Sequence, residues 1–113
     1  MITRKGETTL EIREKMRGGN GAAQLTALSA QLPGKLRLFS TIRLTPGSSI
    51  GYHVHEGEAE MFYFLEGSGR VQDDEAFFDV AAGDTMATLS GHGHAVENTG
   101  DVDLVFVAAI VLD

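Results

Sequence analysis

The reading of this chain turns on the stretch Gly47–Gly67, GSSIGYHVHEGEAEMFYFLEG. His53 and His55 stand two residues apart, and side chains at i and i+2 of an extended strand share a face, so both imidazoles can address one point. Glu60 lies five residues beyond His55, across the Glu56–Ala59 loop, where the returning chain can bring a carboxylate to the same place. An H-x-H pair by itself is as readily a solvated strand face. The other two of the chain's four histidines, His92 and His94, form a second tight group. His94 opens a later strand and would complete a set of three imidazoles and one carboxylate. That donor set suits one divalent transition metal per chain: Mn, Fe, Ni, Cu, Co or Zn. A six-coordinate ion held this way keeps two positions open for substrate, water or dioxygen.

Outward from this stretch the pattern is that of short strands. In KLRLFSTIRL, Leu38, Ser40, Ile42 and Leu44 alternate with Arg37, Phe39, Thr41 and Arg43, the period of two expected of a strand. Pro46-Gly47 marks a turn. Ile50–His55, Glu60–Glu66, Arg70–Gln72, Ala76–Val80, Thr85–Leu89 and His94–Asn98 follow as runs separated by glycine-rich turns. LVFVAAIVL, over residues 104–112, is apolar on both faces and reads as a buried strand. About eight short strands with no convincing long helix leave a sandwich or a barrel as the physical solutions. Residues 10–32 stay undecided between helix and strand. LEIREKMR fits two helical turns and AAQLTALSAQL has leucines at helical spacing, yet Gly18-Gly19-Asn20-Gly21 interrupts both.

The 113 residues suffice for one domain over 1–113, with an N-terminal arm about 1–34 ahead of a motif core 47–98. A domain of this size buries about two-thirds of the surface its unfolded chain exposes. A formal charge of −7 argues against nucleic acid and against an anionic membrane surface as partners. The absence of cysteine excludes disulfides, thiolate metal sites and cysteine nucleophiles. The basic start lacks an apolar stretch behind it and does not read as a signal peptide. The longest apolar run, residues 104–112, is far short of the ~20 residues of a membrane helix. A cytoplasmic location is the expectation.

The residues also resemble the cupin superfamily. Gly47, His53, His55, Glu60 and Gly67 fit every spacing of its first motif, and Gly83, Gly91, His94 and Asn98 fit its second. Leu89 stands at the position of the second motif's proline, which relaxes one φ restraint and removes no ligand. The resemblance implies an all-β double-stranded β-helix (jelly-roll) cupin barrel, with His53, His55, Glu60 and His94 as the metal ligands inside its mouth. Within the superfamily the chain is similar to small oxalate-decarboxylase-like or oxalate-binding cupins, through H-x-H-E-G preceded by S-I-G-Y and G-H-x-x-E-N followed by T-G-D. Bicupin oxalate decarboxylases carry an arginine three residues before the first ligand histidine; here that residue is Ile50.

Further residues extend the expected site. Phe62 and Phe64 share the face of Glu60 by strand parity and are expected on the pocket floor. Arg37 and Arg43 each offer a guanidinium able to take a substrate carboxylate in bidentate fashion. His92, between Gly91 and Gly93, is a rim histidine or an acid/base group with a pKa near working pH. Glu60 is the second acid/base candidate. Asn98 fits a structural role at a strand end, and Asp73-Asp74-Glu75 a solvated hairpin tip. The expected ligand is a small anionic or carbonyl-containing molecule of the oxalate kind. It is bound or transformed at the metal by a decarboxylase or dioxygenase, or else merely sensed without turnover. Cupins of this size commonly pair, so a homodimer is expected, formed by adding N-terminal strands to the neighbour's sheet.

Overall fold

Alternation along the strands separates a buried from an exposed face, and two such faces meet to make the core. The computed structural model describes residues 1–113 and contains ten strands: β1 (Leu10–Glu14), β2 (Ala22–Ala27), β3 (Leu36–Leu44), β4 (Ser49–Val54), β5 (Glu58–Glu66), β6 (Ser68–Asp73), β7 (Ala76–Ala81), β8 (Thr85–Thr88), β9 (Gly93–Glu97) and β10 (Leu104–Leu112). They form a six-stranded sheet, β1-β2-β3-β10-β5-β8, facing a four-stranded sheet, β4-β9-β6-β7. Every pairing is antiparallel. No helix is long and apolar enough to cross a membrane.

In β3, Ser40, Ile42 and Leu44 are buried as the alternation requires. β10 lies between β3 and β5; Leu104, Val105, Phe106, Ala108 and Ile110 are buried, while Val107 and Ala109 are half-buried and Val111 and Leu112 exposed, so its two faces are not equally covered. Phe64, Phe106, Ile42, Leu44 and Leu104 form the fully buried centre of the core. Asn98 is also buried. Its amide nitrogen donates to the Leu44 and Val102 carbonyls and its oxygen accepts from Gly100 N–H, so one side chain ties the end of β3 to the loop before β10. The turn carrying Leu89 in place of proline closes all the same, His92 N–H donating to the Leu89 carbonyl at 3.1 Å.

The undecided segment is a hairpin. β1 and β2 pair from Leu10↔Thr26 to Glu14↔Ala22, and β2 extends the sheet through Leu25↔Ile42. The helical spacing in LEIREKMR is not used. Lys15 and Arg17 both take left-handed backbone angles (φ 47° and 54°) around a single 3-10 turn at Met16–Gly18, which no continuing α-helix allows. That turn lies directly on β4. A Cβ on Gly51 would collide with the Arg17 carbonyl, and one on Gly19 with the Ser49 carbonyl, so both glycines are needed for the close approach.

Candidate metal centre

Strand register brings the polar cluster together at one end of the barrel. His53 of β4 is paired with His94 of β9, and on the facing sheet Glu60 of β5 is paired with Thr88 of β8 and with Ile110 of β10. His55 follows β4 directly, held by its N–H to the His92 carbonyl and by Gly91 N–H to its own carbonyl. β5 begins at Glu58, so Glu60 sits within a strand and not at a loop end. His55, Glu60 and His94 are buried and His53 half-buried.

One nitrogen of each imidazole is tied outward. His53 Nδ1–H donates to the Gly51 carbonyl at 2.8 Å, and His55 Nδ1–H donates to Glu58 Oε2 at 2.7 Å. His94 Nδ1 meets the Thr88 hydroxyl at 2.7 Å. With the proton on Nδ1, each Nε2 lone pair turns inward. His94 Nε2 lies 3.1 Å from His55 Nε2 and 3.1 Å from His53 Nε2. Glu60 Oε1 lies 3.0 Å from both His55 Nε2 and His94 Nε2. The four ligand atoms all fall within 4.8 Å of one another.

The electrostatics favour a bound cation. Burial pushes the His53 pKa down against the Gly51 carbonyl bond, and the neighbouring His94, His55 and Arg17 charges lower it further, so this imidazole stays neutral and available as a donor. Glu58 is held down to about 2, first by Arg37, whose Nε and Nη2 both donate to it at 2.8 Å, and then by His55. It is therefore a permanent carboxylate that fixes the His55 ring. Three lone pairs and a carboxylate converging in a buried space repel one another unless a positive ion lies between them, and imidazole with carboxylate is a donor set for divalent first-row metals.

The chain's match to known proteins agrees. The Cupin domain family model matches residues 40–110. The chain belongs to the cupin family. The oxalate-binding protein of Thermotoga maritima is 43% identical over 114 residues, covering 99% of this chain and 94% of that protein. A solved structure from Thermotoga maritima, described as a predicted oxalate decarboxylase, superposes with a TM-score of 0.94 at 43% identity over the whole of both chains. The cupin domain of Schizosaccharomyces pombe Cnp3 shares the fold alone, with a TM-score of 0.75 at 11% identity over 93% of this chain and 70% of that one.

A cavity of about 90 Å³ opens onto the four clustered residues of this cupin, room for a small ligand. Phe62 lines it and stacks on His94 at 5.0 Å between ring centres. Phe64 does not reach it; the strand runs away from the mouth, and this ring is packed in the core against Phe62 and Phe106. Arg37 lines the cavity, already paired with Glu58. Arg43 lies toward the other end of β3, bonded to Asp103 at 2.7 Å and outside the cavity wall. His92 is exposed, outside the wall, and bonded through Nδ1 to Asp74 Oδ2 at 2.6 Å. Asp74 is thus more than a solvated hairpin tip, since its other oxygen accepts Gly93 N–H.

Sequence reasoning passed over Glu58, Thr88, Arg13, Met16 and Arg17. Glu58 shares strand parity with Glu60 and carried a usable signal. Thr88 meets His94 only through the pairing of β5 with β8, which no local pattern announces. Arg13, Met16 and Arg17 line the cavity from the hairpin that periodicity could not assign.

Proposed function

We propose that this cupin binds a small carboxylate of the oxalate class through one divalent metal held by His53, His55, Glu60 and His94. The observation that carries the reading is the inward convergence of three Nε2 atoms and Glu60 Oε1, with each Nδ1 tied to its own partner. Three imidazoles and one carboxylate are a donor set for a divalent first-row metal. Such an ion supplies a Lewis acid for an anionic oxygen ligand.

The protein's own residues do the rest. Glu58 and Thr88 orient two of the imidazoles, and Phe62 backs the His94 ring with an apolar face that keeps water away. Arg37 adds positive potential at the mouth. Binding without decarboxylation is the favoured form of this function, because Ile50 is a buried apolar wall residue and β4 offers no guanidinium in its place. The name of the Thermotoga maritima relative supports oxalate as the first ligand to try.

The test is metal content per chain by inductively coupled plasma mass spectrometry, with calorimetric titration of oxalate, on wild type and His55→Ala. The expected result is near one equivalent of metal and metal-dependent oxalate binding, both lost in the variant. Failure to retain any metal after reconstitution would refute the assignment. Carbon dioxide release or oxygen uptake with oxalate would replace the binding reading by an enzymatic one.

A further inference from the structure

Three arginines line the cavity: Arg13, Arg17 and Arg37. Two of them are already engaged. Arg13 donates to Glu11 through Nε and Nη2 at 2.9 and 3.1 Å, and Arg37 is paired in the same two-pronged way with Glu58. Arg17 has no carboxylate partner. Scarcity of acids is not the reason, since the chain carries sixteen Asp and Glu against nine Lys and Arg. Nor is Arg17 simply a surface residue on a free loop. Its carbonyl is seated on Gly51, two residues from His53.

The cavity therefore has two positive regions of different kinds. One is the His53–His55–Glu60–His94 cluster with its cation, and the other is the Arg17 guanidinium on the β1–β2 turn. Met16, Leu25, Ile42, Ile50 and Val96 make an apolar wall in the same cavity. Oxalate has no methylene groups to bury there, and as a compact chelate it would spend both carboxylates at the metal. A longer ligand with an aliphatic spacer would use the wall and retain a second carboxylate for a two-pronged guanidinium contact.

We propose that Arg17 anchors the second carboxylate of an aliphatic dicarboxylate whose first carboxylate binds at the metal cluster. This rests on the carboxylate-binding function proposed above and narrows its substrate class. Arg17 acts as a specificity residue: it discriminates a dicarboxylate from a monocarboxylate of the same length.

The experiment is calorimetric titration of the metal-loaded protein with succinate, glutarate, butyrate and oxalate, for wild type, Arg17→Gly, Arg17→Lys and His55→Ala. Glycine adopts the left-handed backbone at residue 17 without penalty, so Arg17→Gly removes the guanidinium while leaving the turn intact, which an unchanged melting temperature verifies. Losing a charge-assisted contact should weaken succinate and glutarate about 10–100-fold, while butyrate and oxalate change by less than about twofold. Arg17→Lys should recover part of the loss. Unchanged succinate and glutarate affinity in Arg17→Gly, or an equal loss for butyrate, would overturn the proposal. If oxalate and butyrate bind in a His55-dependent way while Arg17→Gly leaves both dicarboxylates untouched, only the Arg17 assignment falls. If wild type binds none of the four, the underlying function falls with it.

Discussion

Glu58 has no place among the converging donors, yet removing it should weaken the metal site. Its side chain is 14% exposed and its Oε2 receives His55 Nδ1–H at 2.7 Å, while Arg37 occupies both oxygens from the other side. Glu58→Leu keeps most of the volume and deletes the acceptor. The His55 side chain is only 3% exposed, so water does not replace the lost partner and a buried N–H is left unmet at a cost of about 1–3 kcal/mol. The imidazole relieves this by moving its proton to Nε2, the atom 3.0 Å from Glu60 Oε1, which removes it as a donor. Loss of such an orienting partner typically costs 10–100-fold in metal affinity, or about 1.4–2.8 kcal/mol.

Glu58→Gln separates orientation from charge. Both variants lose one negative charge and the two-pronged Arg37 pairing, but the glutamine retains one oxygen able to accept from His55 Nδ1–H. Competition against a chelating dye at pH 7 should therefore rank the proteins wild type, Glu58→Gln, Glu58→Leu in falling affinity, with most of the loss in the last. Equal affinities for Glu58→Leu and Glu58→Gln would refute the orienting role and leave only the charge at the mouth. Wild-type affinity in both would refute any role.

The Asp74–His92 pair gives a pH prediction. Asp74 raises the His92 pKa above its usual 6.5, and Gly93 N–H and then His92 lower that of Asp74 below 3.8. The histidine's contribution to stability is present below pH 6.5 and is lost as pH rises through its folded value; the aspartate's is present above pH 3.8 and is lost below it. The pair is thus fully formed between these limits, and Asp74→Asn should return the His92 titration toward 6.5 by NMR. An unmoved titration would contradict the pairing. Phe62→Ala should destabilise the protein by about 3–5 kcal/mol in urea, because the ring is buried against Phe64, Phe106 and His94; a loss under 1 kcal/mol would mean that the stack relaxes freely. The expected homodimer is checked by light scattering at micromolar concentration, where a purely monomeric species would refute it.

The strand pattern and the His53–His55 pair were legible because both depend on short-range rules, while the jelly-roll barrel and the full set of four residues followed from the resemblance carried by the two motifs. Strand parity places His53 with His55 and fixes the buried face of β3, and glycine-rich turns mark where strands end. The surroundings of the cluster were less legible because they depend on register. Thr88 reaches His94 only after β8 has paired with β5, and Phe64 leaves the pocket floor because two residues along β5 carry it one layer deeper into the core. Arg37 and Arg43 share a strand face and look equivalent in sequence. Six residues of strand separate them, so that one meets Glu58 at the mouth and the other Asp103 near the far end.

The segment with the weakest local signal carries Arg13, Met16 and Arg17, three of the residues that line the cavity. LEIREKMR satisfies helical spacing as well as it satisfies a strand, and local propensity does not choose. Tertiary contact does: β2 completes the sheet beside β3 through Leu25↔Ile42, and the turn at Met16–Gly18 finds its seat because Gly19 and Gly51 leave room for two backbones to meet. Only that docking brings Arg13, Met16 and Arg17 to the cavity wall. Of the four clustered residues, His53, Glu60 and His94 lie on strands and His55 directly follows β4, whereas Arg17 lies on a turn outside the strand alternation. A change in this turn can therefore alter ligand choice without disturbing the alternation that builds the barrel, and the cluster can stay constant while the cavity around it takes different molecules.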